Sequence, residues 1–181
     1  MQLIPTKVEG AFRLLPKVFG DDRGFFLESW NKKTFADIGI EADFVQDNHS
    51  RSQRNVLRGL HYQIENPQGK LVWVTQGCVY DVFVDLRKAS PTFGQWDGHL
   101  LSAENQERLW VPPGLAHGFL VMSDTADFQY KCTEYYTPAQ ERTLLWNDPE
   151  LGIVWPLPDG ENPILSAKDL VGKPLREAEL F

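Results

Sequence analysis

The chain has 181 residues, 42% of them hydrophobic and 24% charged, with a formal net charge of −7 and an isoelectric point of about 5.1. That length fits one ordinary domain that can bury a core without disulfide or metal staples. The acidic balance excludes a general nucleic-acid binder and a polybasic membrane-surface protein, so positive charge for any anionic ligand must be gathered locally.

The opening MQLIPTKVEGAF has no apolar h-region, and no run is long enough to cross a bilayer, which points to a cytoplasmic protein. FRLLPKVF and GFFLESW read as the first strands. NKKTFADIGI follows as a short helix capped by Asn31. VLRGLHYQ, KLVWVTQG, VYDVFVDL, RLWVPPG, HGFLVMS and DFQYKCTEYY are further strands, punctuated by Gly, Pro, Asn and Asp. From Asn147 the chain turns loop-like, with Pro149, Pro156, Pro158 and Pro163, and a second short helix is expected in SAKDLVG. The expectation is an all-β sandwich or barrel, a single domain over 1–181, wrapped by a C-terminal strap.

Alternation assigns faces. Tyr80, Val82, Val84 and Leu86 form a clean apolar face, with Asp81, Phe83 and Asp85 behind it. Elsewhere the faces are mixed: Leu57, Gly59, His61 and Gln63; Lys70, Val72, Val74 and Gln76; Phe128, Tyr130, Cys132, Glu134 and Tyr136. Burying such polar groups unpaired costs roughly 2–7 kcal/mol each, and more for an ion. A barrel enclosing a polar ligand cavity accommodates them better than a solid core does. Cys78 and Cys132 sit in strands without metal spacing and read as reduced core residues. His49 lies among polar loop residues, His99 has no evident partner, and Arg51 and Arg54 read as a solvated loop.

Pro112-x-Gly114-x-x-His117 resembles the second cupin motif. At the first motif, His61-Tyr62-Gln63 stands where H-x-H would be, and Glu65 is in doubtful register. The expectation is a cupin-like jelly-roll barrel without a metal.

DDRGFFLESWN, FVQDNHS, VLRGLHYQ, PQGKLVWVTQGCVYDVFVDLR, WVPPGLAHGFLV, YKCTEYYTPAQERTLLWNDPELGIVWP and LSAKD, in this order, resemble the dTDP-4-dehydrorhamnose 3,5-epimerase family. The resemblance implies a homodimeric cupin-type jelly roll needing no cofactor, which inverts C3 and C5 of dTDP-4-dehydro-6-deoxy-D-glucose. It makes His61 the base, Lys70 the enolate stabiliser and Tyr130 the acid on the opposite face. Asp169 is the carboxylate that orients His61, although Ser166-x-x-Asp169 also has the spacing of a helix capping box. For the nucleotide, the resemblance implies diphosphate contacts from Arg23 and Arg58, stacking of thymine on Tyr136, and a base contact from Glu28. Gln46, Asp47 and Asn48 would form a polar shelf, with His117 beside the sugar and Glu141 and Lys168 completing the site. A related cupin acting at C3 or C5 only, a metal-dependent cupin and a non-catalytic sugar-nucleotide binding module remain alternatives.

Overall fold

The computed structural model describes residues 1–181. In chain order the strands are β1 (Gln2–Pro5), β2 (Phe12–Leu15), β3 (Val18–Asp21), β4 (Gly24–Leu27), β5 (Gln46–Gln53), β6 (Leu57–Gln63) and β7 (Lys70–Gln76). They continue with β8 (Cys78–Asp85), β9 (Trp96–Ser102), β10 (Arg108–Val111), β11 (Leu115–Val121), β12 (Thr125–Cys132) and β13 (Glu141–Thr143). Two short helices complete the set, α1 (Lys32–Asp37) and α2 (Ala167–Leu170).

A six-stranded sheet runs β1-β2-β10-β7-β12-β5 and faces a five-stranded sheet, β13-β6-β11-β8-β9. All ladders within them are antiparallel, giving the expected jelly roll. At one end the facing sheets close on Val72, Val74, Phe83, Leu109, Phe119 and Phe128, a dry core. The other end is left open by polar side chains. On the outer face of the six-stranded sheet, Leu14, Leu71 and Trp110 meet Phe35 of α1 and Ile40. The Asn31 side chain caps α1 by accepting from the amides of Lys33 and Thr34.

The clean apolar face read in VYDVFVDL turns out to be the outer one. Val82, Val84 and Leu86 lie beneath the C-terminal strap, packed with Leu151, Trp155 and Phe181. Phe83 points inward to the core.

FRLLPKVF is not one strand. Pro16, which has no amide donor, separates β2 from β3, and β3 pairs only with β4 in a detached hairpin. DFQYKCTEYY ends as a strand at Cys132, and further on side chains take the amides: Tyr136 donates to Gln46 Oε1 and Thr137 to Gln63 Oε1. Glu134 therefore leaves the shared face, and Tyr136 approaches from a loop. β1, β5, β9 and β13 are strands not assigned from the sequence. Arg51 and His49 belong to β5, not to a solvated loop, and Arg51 Nε and Nη2 donate to Asp127 at 2.6 and 2.7 Å. His99 does have a partner, Asp97, at 3.1 Å.

Two glycines set the site's geometry. A Cβ on Gly59 would lie 2.5 Å from Gly118 Cα, and one on Gly118 would lie 2.5 Å from the Arg58 carbonyl oxygen. β6 and β11 thus abut more closely than side chains allow, and His61 comes opposite His117 in register.

Candidate active site

The open end of the barrel holds a cavity of about 660 Å³. His61, Lys70, His117 and Tyr130 all line it, from four different strands. Alternation along each strand turns these side chains inward while their neighbours pack outward. From the mixed faces read in the sequence, Leu57, His61, Lys70, Phe128, Tyr130, Cys132 and Tyr136 line the cavity, while Val72 and Val74 belong to the dry core.

His61 meets Asp169, which is almost fully buried at the start of α2. The two possible duties of Asp169 are both real and are divided between its oxygens. Oδ1 accepts from His61 Nε2 at 2.7 Å and from the Gly59 amide at 3.2 Å. Oδ2 accepts from the Ser166 hydroxyl at 2.6 Å and its amide at 3.2 Å, while the Asp169 amide donates back to Ser166 Oγ. Burial alone would raise the Asp169 carboxyl, but the bonds from His61, Ser166 and Gly59 outweigh it and hold the pKa at about 2. An ionised carboxylate only accepts, so the shared proton sits on His61 Nε2 and the lone pair on Nδ1.

Burial lowers the His61 pKa; Asp169 opposes that, and the nearby charges of Lys168 and Lys70 add to it. The imidazole is kept neutral and able to accept a proton near pH 7. Lys70 is pushed down chiefly by burial, with the opposing influence of Cys132, Glu141 and Asp81. Tyr130 is pushed up to about 12 by burial and then by neighbouring Cys132 and Glu141, so its hydroxyl stays protonated. Cys132 lines the same cavity and is not simply a core filler.

Toward the mouth, the Tyr136 hydroxyl donates to Glu141 Oε2 at 2.8 Å and Lys168 Nζ lies 2.5 Å from the same oxygen. Burial would raise the Glu141 carboxyl, but those two bonds lower it overall. Arg58 lines the cavity, and its Nε donates to Ser52 Oγ at 3.0 Å; its guanidinium pairs with no carboxylate. Gln46 and Asn48 face inward, whereas Asp47 between them points outward and pairs with Lys131 at 2.9 Å. The polar shelf therefore has two members, as strand alternation requires.

Arg23 and Glu28 are not brought to this cavity. Arg23 sits in the β3–β4 turn, highly exposed and 2.5 Å from Asp21, and Glu28 accepts from Asn31 and Thr34. Two residues that the sequence reading did not assign to the site belong to the cavity region. Ser166, which lines it, was legible from its capping-box spacing; Asp81, bound to His117, gave no local signal. No three His, Cys, Asp or Glu side chains cluster as metal ligands.

A family model described as dTDP-4-dehydrorhamnose 3,5-epimerase matches residues 5–177. A curated protein of that name from Pseudomonas aeruginosa is 59% identical over 167 residues, covering 92% of this chain and 91% of its own. One from Salmonella typhimurium is 55% identical over 182 residues, covering 99% and 98%. The crystal structure of dTDP-6-deoxy-D-glucose-3,5-epimerase from Legionella pneumophila, solved with dTDP-4-keto-L-rhamnose, superposes with a TM-score of 0.94. Its identity is 51%, over 98% of this chain and 94% of that one.

Proposed function

The chain belongs to the dTDP-4-dehydrorhamnose 3,5-epimerase family, and from that premise we propose how its own residues invert C3 and C5 of dTDP-4-dehydro-6-deoxy-D-glucose. The observation that carries the reading is one cavity holding an oriented neutral imidazole, an ammonium without an ion-pair partner and a protonated phenol.

A C–H next to the C4 ketone becomes acidic only if the resulting enolate is stabilised. His61 Nδ1 takes the proton, and Asp169 stabilises the imidazolium that forms through the Nε2–H bond. Lys70 faces the oxygen on which negative charge develops; in an enclosed site its interaction is far stronger than in water. Tyr130 returns a proton to the opposite face of the sugar. Its high pKa ensures that the proton is there to give, and before the second carbon reacts the phenolate regains a proton from solvent while the His61 imidazolium gives its own up to solvent. The second carbon is served by the same three groups after the sugar shifts in the cavity.

At the mouth, Arg58 is free to receive the diphosphate bidentately, Tyr136 offers its ring to the thymine, and Gln46 and Asn48 hydrogen-bond the ligand. Lys168 exchanges part of its pairing with Glu141 for phosphate. His117 forms a wall beside the sugar.

Arg23 and Glu28 complete the nucleotide site from a second copy of the chain. What supports this is the β3–β4 hairpin itself, which exposes Phe19 at 52%, Phe25 at 62% and Phe26 at 70% around Arg23. Such an apolar arm needs a surface to cover it, and the homodimer supplies one. No helix is long and apolar enough to cross a membrane.

The test is incubation with dTDP-4-dehydro-6-deoxy-D-glucose in deuterated water, with NMR counting deuterium at C3 and C5 and a coupled reductase following product. Deuterium at both carbons with inverted product supports the reading. Deuterium at one carbon reduces it to a mono-epimerase; binding without exchange reduces it to a carrier.

A further inference from the structure

Among the groups unused by that chemistry is a carboxylate sealed inside the barrel. Asp81, in β8, has no accessible surface, and both of its oxygens lie 2.9 Å from Nε2 of His117. A buried charge is costly unless it is paired and hydrogen-bonded, yet no Lys or Arg forms a salt bridge with Asp81. Its partner is an imidazole that lines the cavity directly opposite His61 in register. The His117 ring also stacks on Phe128, centroids 6.2 Å apart, and Phe128 leans on Tyr130 at 5.9 Å. Lys70 rises from the facing sheet into the same cavity, again without an ion-pair partner.

We propose that Asp81 is a positioning residue for the epimerisation, fixing His117 with Nε2–H bound and Nδ1 free and acting as the counter-charge to Lys70 across the cavity. Two ionisable side chains of opposite sign, one on each sheet and neither in a Lys/Arg–carboxylate ion pair, are thereby explained together. Burial disfavours the Lys70 ammonium, and the negative charge of Asp81 is among the influences that oppose it. The other titratable groups lining the cavity with Lys70 are Cys132 and Tyr130 of β12, Tyr136, Glu141 of β13, Arg58 and His61 of β6, His117 of β11, and Lys168 and Asp169 of α2. Of these, Glu141 and Asp169 are carboxylates, and they are already bound to Lys168 and His61. The charge role rests on the reading above, in which Lys70 must be protonated to stabilise the enolate.

Asp81→Asn keeps the side-chain volume and one acceptor but removes the charge. The expected outcome is unchanged dTDP affinity, a kcat lower by about 10–100-fold, and an alkaline limb of kcat/KM moved to lower pH by roughly half a unit or more. A purely structural role would not move that limb. An unmoved limb with kcat within about twofold of the parent overturns the proposal. The unmodified protein provides a second arm that needs no folded variant: ¹⁵N-histidine NMR should show His117 as the Nε2–H tautomer, and an Nδ1–H tautomer overturns the assignment. Lack of epimerisation by the unmodified protein would instead sink the functional reading, leaving the tautomer result to stand alone.

Discussion

The barrel interior and the β3–β4 hairpin carry the two halves of one proposed site, and they are built in opposite ways. In the interior the two histidines are each held by a buried carboxylate: His61 by Asp169, itself fixed by Ser166 and Gly59, and His117 by Asp81. On the hairpin, Arg23 has only Asp21, two residues away, and apolar rings face water. Chemistry needs groups fixed within fractions of an ångström, which a single packed barrel provides. Phosphate recognition can be supplied from a projecting arm, because a guanidinium fork binds the anion through charge-assisted, bidentate bonds. On the proposed reading, one chain finishes the reacting centre and a second copy finishes the ligand's grip.

The sharpest way to break that division is His61→Asn. Loss of the base should reduce both product formation and solvent-deuterium exchange by about 10⁴-fold, the upper end for a single general base. Exchange persisting near the parent rate would move the base elsewhere. Tyr130→Phe comes next: inverted product should fall by about 10²–10³, while deuterium still enters from the His61 face. Equal loss of exchange and product would place Tyr130 in enolate formation instead.

The arm is tested by affinity. Arg58→Ala and Arg23→Ala each remove a charge-assisted bond worth roughly 1.5–3 kcal/mol, so dTDP binding by calorimetry should weaken about tenfold or more. Mixing Arg23→Ala chains with His61→Asn chains then separates cis from trans. If Arg23 serves a second copy, mixed dimers contain one intact site and activity at subsaturating substrate rises above that of Arg23→Ala alone; a mixture without that gain places Arg23 with its own barrel.

The smallest effect is on pH. His61 must be neutral, and its pKa is depressed, so kcat/KM should rise with pH through a midpoint below 6.5. Lys70 must be charged, and its pKa is also depressed, so activity should fall again through a midpoint below 10.5, before Tyr130 titrates at about 12. An acid limb above 6.5 would contradict the enclosed setting of His61.

The interior was largely legible in the sequence because period-2 alternation gathers His61, Lys70 and Tyr130 onto inward faces. The same rule, applied to Gln46-Asp47-Asn48, would have turned Asp47 outward, where the structure places it. β5 was harder to see. Its inward residues line a polar cavity and its outward ones meet water, so QDNHSRSQ has no apolar face to betray a strand. The Asp81–His117 pair joins residues 36 positions apart through sheet pairing, beyond the reach of any local pattern. The hairpin resisted for another reason, since its proposed role depends on a surface from a second copy of the chain.

Asp169 gives the molecule a timetable. It lies 108 residues beyond the histidine it aligns, in the strap that follows the last strand of the barrel. A ribosome delivers the walls of the cavity, with Arg58, Lys70, Tyr130 and Tyr136, before it delivers the strap. In the order of synthesis most of the cavity wall therefore precedes the carboxylate that binds His61. The turn that begins α2 is the moment of arming, for the hydrogen bonds that start that helix also place the carboxylate behind His61.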